Sequence, residues 1–129
     1  MNYLLDTHVA IWALLGDDSK LSAKAKSIIA DRNLKLAFSI ASAWEIAIKI
    51  SKKGEVENIN GVATLINSLK SNHVEILGVT PEEVIVIESL PYIHHDPFDR
   101  LIIATAKTQG YTIITKDDNI QKYDVSWVW

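Results

Sequence analysis

Residues 96–118 read DPFDRLIIATAKTQGYTIITKDD. An acid able to cap a helix, a proline suited to the first helical position and a second acid in the first turn come first. An apolar helix is predicted over 101–108, with Gly110 as its stop. A β-type run over 112–115 follows and ends in Lys-Asp-Asp. Helix, tight joint and strand make the second half of a crossover unit.

The same grammar extends upstream. Thr80-Pro81-Glu82-Glu83 is another cap, proline and acidic first turn, placed after a predicted strand over 74–79. A helical segment covers about 62–71. Ser42-Ala43-Trp44-Glu45 has capping-box spacing and opens a predicted helix that runs to about Lys53, where Gly54 stops it. Residues 35–39 read as the second strand, Ser22 as the cap of a helix before it, and 8–15 as the helix that follows a first strand over 3–6. A last strand is expected over 126–129. Strands separated by helices of this length imply crossover connections, hence a central, mostly parallel sheet with helices on both faces: an α/β, three-layer fold.

With 129 residues, 48% hydrophobic, the chain has room for one domain, spanning 1–129, and too little for two of ordinary size. Apolar runs such as VAIWALL fall short of the roughly 18 to 20 residues that cross a bilayer, and MNYLLD lacks the basic region of a secretory signal. A cytoplasmic location and no membrane association are the expectations. The absence of cysteine excludes disulfides, thiol catalysis and Cys-ligated metals, so a bound metal must use oxygen or imidazole. Thirteen basic against sixteen acidic side chains provide no basic excess for binding nucleic acid. That objection weakens only where acids gather around cations, because bound divalent ions reverse the local sign.

In this fold, strand C-termini and helix N-termini share one sheet edge, where ligands bind. Asp6 ends the first strand, Glu45 and Asp99 fall in the first turns of helices, and Asp117 follows the TIIT strand, so all four are directed to that edge. Asp31, closing a helix, and Asp124, preceding the last strand, belong at the opposite edge. Carboxylates within about 4 Å of one another repel by roughly 4 kcal/mol per ionised pair at an effective dielectric near 20. A hard divalent cation relieves that cost, and carboxylate with water suits Mg²⁺ or Mn²⁺ better than Zn²⁺. Metal at a sheet edge suits phosphoryl chemistry by a metal-activated water, with a phosphodiester as the natural substrate.

Each acid also has an ordinary reading. Glu45 completes a capping box and can pair with Lys49, Asp99 favours a helix N-terminus, and Asp117 or Asp118 can start a short helix. Asp6 is hardest to explain away, since an acid ending a buried strand is costly unless paired or liganded. Around the four, His94 and His95 are candidates for phosphate, base or metal contact, or for a structural role. Arg100 and Lys49 are candidates for substrate phosphates or for ion pairs with the acids. Thr7 and Thr115 are candidates to orient a carboxylate. Trp12 and Trp44 are candidates to stack bases but are expected rather to pack, in the core or at an interface, and Trp127 and Trp129, on one face of the last strand, to pack against the sheet.

The blocks LLDTHVAIWAL, SAWEIAIK, HHDPFDRLIIATA and TIITKD, in this order over nearly the whole chain, resemble the PIN domain of VapC-type toxins from bacterial toxin–antitoxin pairs. The family's acids fall on Asp6, Glu45, Asp99 and Asp117, with Asp118 as a neighbouring alternative to the last. The resemblance implies a parallel sheet, one or two Mg²⁺ or Mn²⁺ ions, and endonucleolytic hydrolysis of RNA to 5′-phosphate and 3′-hydroxyl ends. It further implies homodimerisation and a small antitoxin partner. Two rivals stand beside it. A catalytically silent PIN-like module, binding RNA or protein, would be expected to lose the acids that this chain keeps. An aspartyl-phosphate phosphatase would want an acid at position eight, where His8 stands.

Overall fold

The computed structural model describes residues 1–129. In chain order the elements are β1 (Asn2–Leu5), α1 (Thr7–Leu15), α2 (Ala23–Ala30), β2 (Lys35–Ser39), α3 (Ile40–Lys53), α4 (Val62–Ser71), β3 (Glu75–Leu77), α5 (Pro81–Ser89), α6 (Pro97–Gln109), β4 (Thr112–Ile114), α7 (Asp118–Gln121) and β5 (Trp127–Val128). A short 3₁₀ turn, Asp18–Lys20, lies between α1 and α2. The five strands form one sheet in the order β3-β2-β1-β4-β5, every pair parallel.

Period-two alternation makes the sheet two-sided. Leu5 pairs in register with Phe38 and Ile114, and this row joins a core with Val9, Ile11, Ile46 and Leu65. One residue back, Leu4 pairs with Ala37 and Ile113, and that row joins a second core with Ile102, Ile103 and Ile120. Helices therefore cover both faces, as a parallel sheet requires. Truncating a fully buried member such as Leu5 to alanine is expected to cost about 2 to 5 kcal/mol.

Several expectations are corrected. The helix after β2 starts at Ile40, capped by Ser39, whose hydroxyl accepts from the Ala41 amide at 3.1 Å. Strand and helix share that serine with no loop between them, which leaves Ser42 buried inside the helix and Glu45 in its second turn. Trp44 is 62% exposed and so is not core. Trp127 is exposed as well, whereas Trp129 packs edge-on against Trp12 at 6.4 Å and joins the first core. The third and last strands are also shorter than the 74–79 and 126–129 expected.

Candidate active site

Between β1 and β4 the strand order reverses direction, and crevices at such points receive ligands. Asp6 lies there: its amide donates to the Ile114 carbonyl of the neighbouring strand at 3.1 Å. Its side chain is buried, and both oxygens are held. Oδ1 accepts from the Thr7 amide at 2.7 Å and Oδ2 from the Thr115 hydroxyl at 2.7 Å. Burial pushes the Asp6 carboxyl above the ordinary carboxylate range, with Asp117 adding to the rise. The bonds from Thr115 and Thr7 and the charge of His8 oppose it.

Glu45 reaches the same edge from the second turn of α3 because helical side chains lean toward the N-terminus. It is buried, with the Thr7 hydroxyl 3.2 Å from Oε1 and the Lys49 ammonium 3.1 Å from Oε2. The Thr7 hydroxyl is also 2.9 Å from that of Ser42, a contact not foreseen because Ser42 reads from sequence as a cap.

Asp99 is the third residue of α6, whose N-cap Asp96 accepts from the Phe98 and Asp99 amides. Burial, then the negative charges of Asp6, Asp96, Glu45 and Asp117, push its carboxyl up to about 8. Asp117 caps α7 through Oδ1, which accepts from the Asn119 amide at 2.8 Å, leaving Oδ2 turned toward His94. Asp118, the first residue of α7, is exposed and does not join the cluster. The four acids thus come from four segments to one electrostatic neighbourhood. Asp31 and Asp124 do not: the first closes α2, and the second lies beside Lys107 near the C-terminus of α6.

His94 completes a group with Asp99 and Asp117 whose ligand atoms all lie within 4.8 Å of one another. Its Nε2 is 2.8 Å from Asp99 Oδ2 and 3.7 Å from Asp117 Oδ2, buried but not aimed at either as a directed hydrogen bond. The Asp96 amide donates to Nδ1 at 3.4 Å, so in the neutral ring the proton is assigned to Nε2. That places a donor, not a lone pair, against the carboxylates. His95 points elsewhere, its ring 4.6 Å from that of Tyr92.

Arg100 contradicts both roles considered for it. It is buried, pairs with no carboxylate, and donates to the carbonyls of Pro91, Ile87 and Leu90 and to the Tyr123 hydroxyl at 2.9 to 3.3 Å. One residue along a helix rotates a side chain by about 100°. Asp99 therefore faces the site while Arg100 faces the segment after α5. The same Tyr123 hydroxyl accepts from the His94 amide at 2.9 Å, so Arg100 acts on the site only by fixing the loop that carries His94.

Beside Asp6 and Asp117 opens a cleft of about 380 Å³, bordered by His8, Trp12, Glu57 and Lys116. The sequence reading missed Lys116, a cation that directly precedes Asp117, and His8, an imidazole two residues after Asp6. A cavity of about 410 Å³ at the helix C-termini, among Leu14, Ile29, Leu69 and Val74, has Asp31 as its sole acid, so size alone does not locate the chemistry.

A cation would fit the acid cluster on the structure's own terms. Carboxylate oxygens converge, burial and the neighbouring acids push the Asp99 carboxyl up to about 8, and the one lysine paired with a member of the group is Lys49, on Glu45. Parallel sheet, switch-point aspartate and converging acids define a PIN-type architecture. The PIN domain model matches residues 3–126, and the chain belongs to that family. Among its relatives is the ribonuclease VapC22 of Mycobacterium tuberculosis (strain ATCC 25618 / H37Rv), 31% identical over 121 residues that span 93% of this chain and 90% of that one. Two solved structures share the fold. VapBC2 from Rickettsia felis, bound to a DNA fragment from their promoter, superposes with a TM-score of 0.74 at 16% identity, covering 99% of this chain and 98% of that one. A toxin–antitoxin complex from Klebsiella pneumoniae superposes with a TM-score of 0.67 at 17% identity, covering 98% and 96%.

Proposed function

We propose that this protein is a divalent-metal-dependent endoribonuclease, the toxin of a toxin–antitoxin pair, cutting RNA phosphodiesters at the Asp6, Glu45, Asp99 and Asp117 edge. The observation that carries the reading is the convergence of His94, Asp99 and Asp117, with ligand atoms within 4.8 Å of one another, beside an Asp99 carboxyl that burial and the neighbouring acids push up to about 8. The ribonuclease relative supports RNA as the substrate class, and the toxin–antitoxin neighbours support an antitoxin partner.

Asp6, Asp99 and Asp117 would hold Mg²⁺ or Mn²⁺, the hard cations that oxygen donors suit. Bound there, the ion supplies water activation and charge neutralisation at the phosphoryl oxygens. The remaining work falls to the chain. Thr115 and the Thr7 amide hold both oxygens of Asp6, which fixes the carboxylate plane before substrate arrives. Glu45, steadied by Thr7 and Lys49, orients the attacking water. His94 stands against Asp99, its Nε2 2.8 Å from Oδ2, and limits the space open to that carboxylate. Lys116 and His8, in the cleft beside Asp6, are placed to receive a substrate phosphate.

The protein works in the cytoplasm as a homodimer, held inactive by a small antitoxin. No helix is long and apolar enough to cross a membrane. The deciding experiment incubates the protein and its Asp6→Asn variant with mixed-sequence single-stranded RNA in Mg²⁺, Mn²⁺ or chelator. Cleavage by the parent alone, and only with metal, is expected. Equal cleavage by the variant, or cleavage in chelator, would overturn the assignment.

A further inference from the structure

In the cleft beside Asp6 the Trp12 ring is buried, so the site described so far has carboxylates and cations but no exposed tryptophan face for a base. An exposed tryptophan is costly to leave in water, and Trp44 is 62% exposed. It is not loose. Its ring meets Phe98 edge to face, centroids 5.1 Å apart and planes at 85°, so one aromatic is braced by another. The two rings come from α3 and α6, the helices that supply Glu45 and Asp99. Trp44 directly precedes Glu45 and Phe98 directly precedes Asp99, so the aromatic pair and the carboxylate pair cross the same helix–helix seam side by side.

We propose that Trp44, braced by Phe98, is the stacking platform for a nucleobase next to the scissile phosphate. The proposal rests on the nuclease reading and assigns a residue that binds substrate without holding metal. One residue along a helix turns a side chain by about 100°. Trp44 therefore stands outside the buried Glu45 and meets Phe98 across the seam of α3 and α6, a nucleotide's span from the acids rather than among them. A π face accepts any base and favours none by hydrogen bonding, so selectivity from this contact follows stacking strength. A second copy of the chain is the competing occupant, because Ile40, also exposed, lies one turn before Trp44 on the same helix. Interface cores are depleted of charge, however, and here the rings are flanked by Glu45 and Asp99, with Lys49 one turn on. A base carried on a phosphate chain satisfies both kinds of neighbour.

The test begins with the parent cutting mixed-sequence single-stranded RNA in Mn²⁺, and then the shortest oligonucleotide carrying the mapped cut. Trp44→Ala is expected to raise KM about tenfold with kcat, Mn²⁺ affinity and melting temperature unchanged, and Trp44→Phe to restore most of the loss. An abasic nucleotide at one position beside the cut should penalise the parent by a similar factor and leave Trp44→Ala unaffected. Parent-like KM in Trp44→Ala would overturn the platform while leaving the nuclease standing. A lowered sedimentation mass for Trp44→Ala would assign the residue to contact between copies and overturn it equally. A parent that cuts no RNA removes the nuclease reading and this inference with it.

Discussion

Two regions of this molecule bury charge, and they do so in opposite ways. Along the seam of α5 and α6, Glu83 is fully buried, with the Thr105 hydroxyl donating at 2.9 Å and the Gln109 amide donating to its other oxygen. Arg100, nearby in the same layer, spends its guanidinium on four carbonyls and a hydroxyl. Every polar atom there has a protein partner. At the sheet edge the pattern reverses: four acids meet with one lysine among them, and the Asp99 carboxyl is displaced to about 8. Satisfied burial stabilises a fold, whereas unsatisfied like charge marks a place where something else must bind.

That contrast can be broken by substitution. The largest effect is expected from Asp99→Asn, which should lower metal-dependent cleavage by roughly a thousandfold, several kcal/mol of transition-state stabilisation, while raising the melting temperature of metal-free protein. A variant both active and no more stable would erase the distinction. Arg100→Met should do the reverse, destabilising by about 3 to 5 kcal/mol in urea because buried carbonyls lose their donor, while Mn²⁺ still binds the folded fraction.

A smaller effect should appear in the pH dependence of the parent. The Asp99 carboxyl is raised in the folded state, so between its ordinary value of 3.8 and about 8 the folded chain holds a proton that the unfolded chain has released. Stability of metal-free protein should therefore fall as pH rises across that window. Saturating Mn²⁺ should remove the slope, and a calorimetric series with and without the ion measures it. The smallest change belongs to Asp118→Asn, expected to leave cleavage intact and stability within about 0.5 kcal/mol, since this exposed acid lies outside the cluster. Loss of activity there would move the fourth acid from Asp117 to its neighbour.

Much of this was legible in the residues. Prolines after capping residues at Thr80 and Asp96, and glycines at 54 and 110, mark helix ends chemically, and the alternation of elements then dictates which edge receives Asp6, Glu45, Asp99 and Asp117. What escaped depended on neighbours distant in sequence. Ser39 and Ser42 both precede the same helical run, and only the length of the paired strand decides which one caps. Arg100 adjoins Asp99 in sequence, yet its direction is set by carbonyls at the end of α5. Trp44 looks like core by composition because nothing local reveals that its side of α3 lacks a cover.

The bond from Thr115 to Asp6 joins residues 109 positions apart. Closing so long a loop is entropically slow, and contacts of this range form late in folding. A ribosome adding about 5 to 20 residues per second therefore carries a growing chain that has its first acid from the start and no working edge until β4 has slid in beside β1. On the nuclease reading proposed above, the order of assembly is itself a safeguard: more than a hundred residues must leave the ribosome before the acids of β1 and β4 can share one edge.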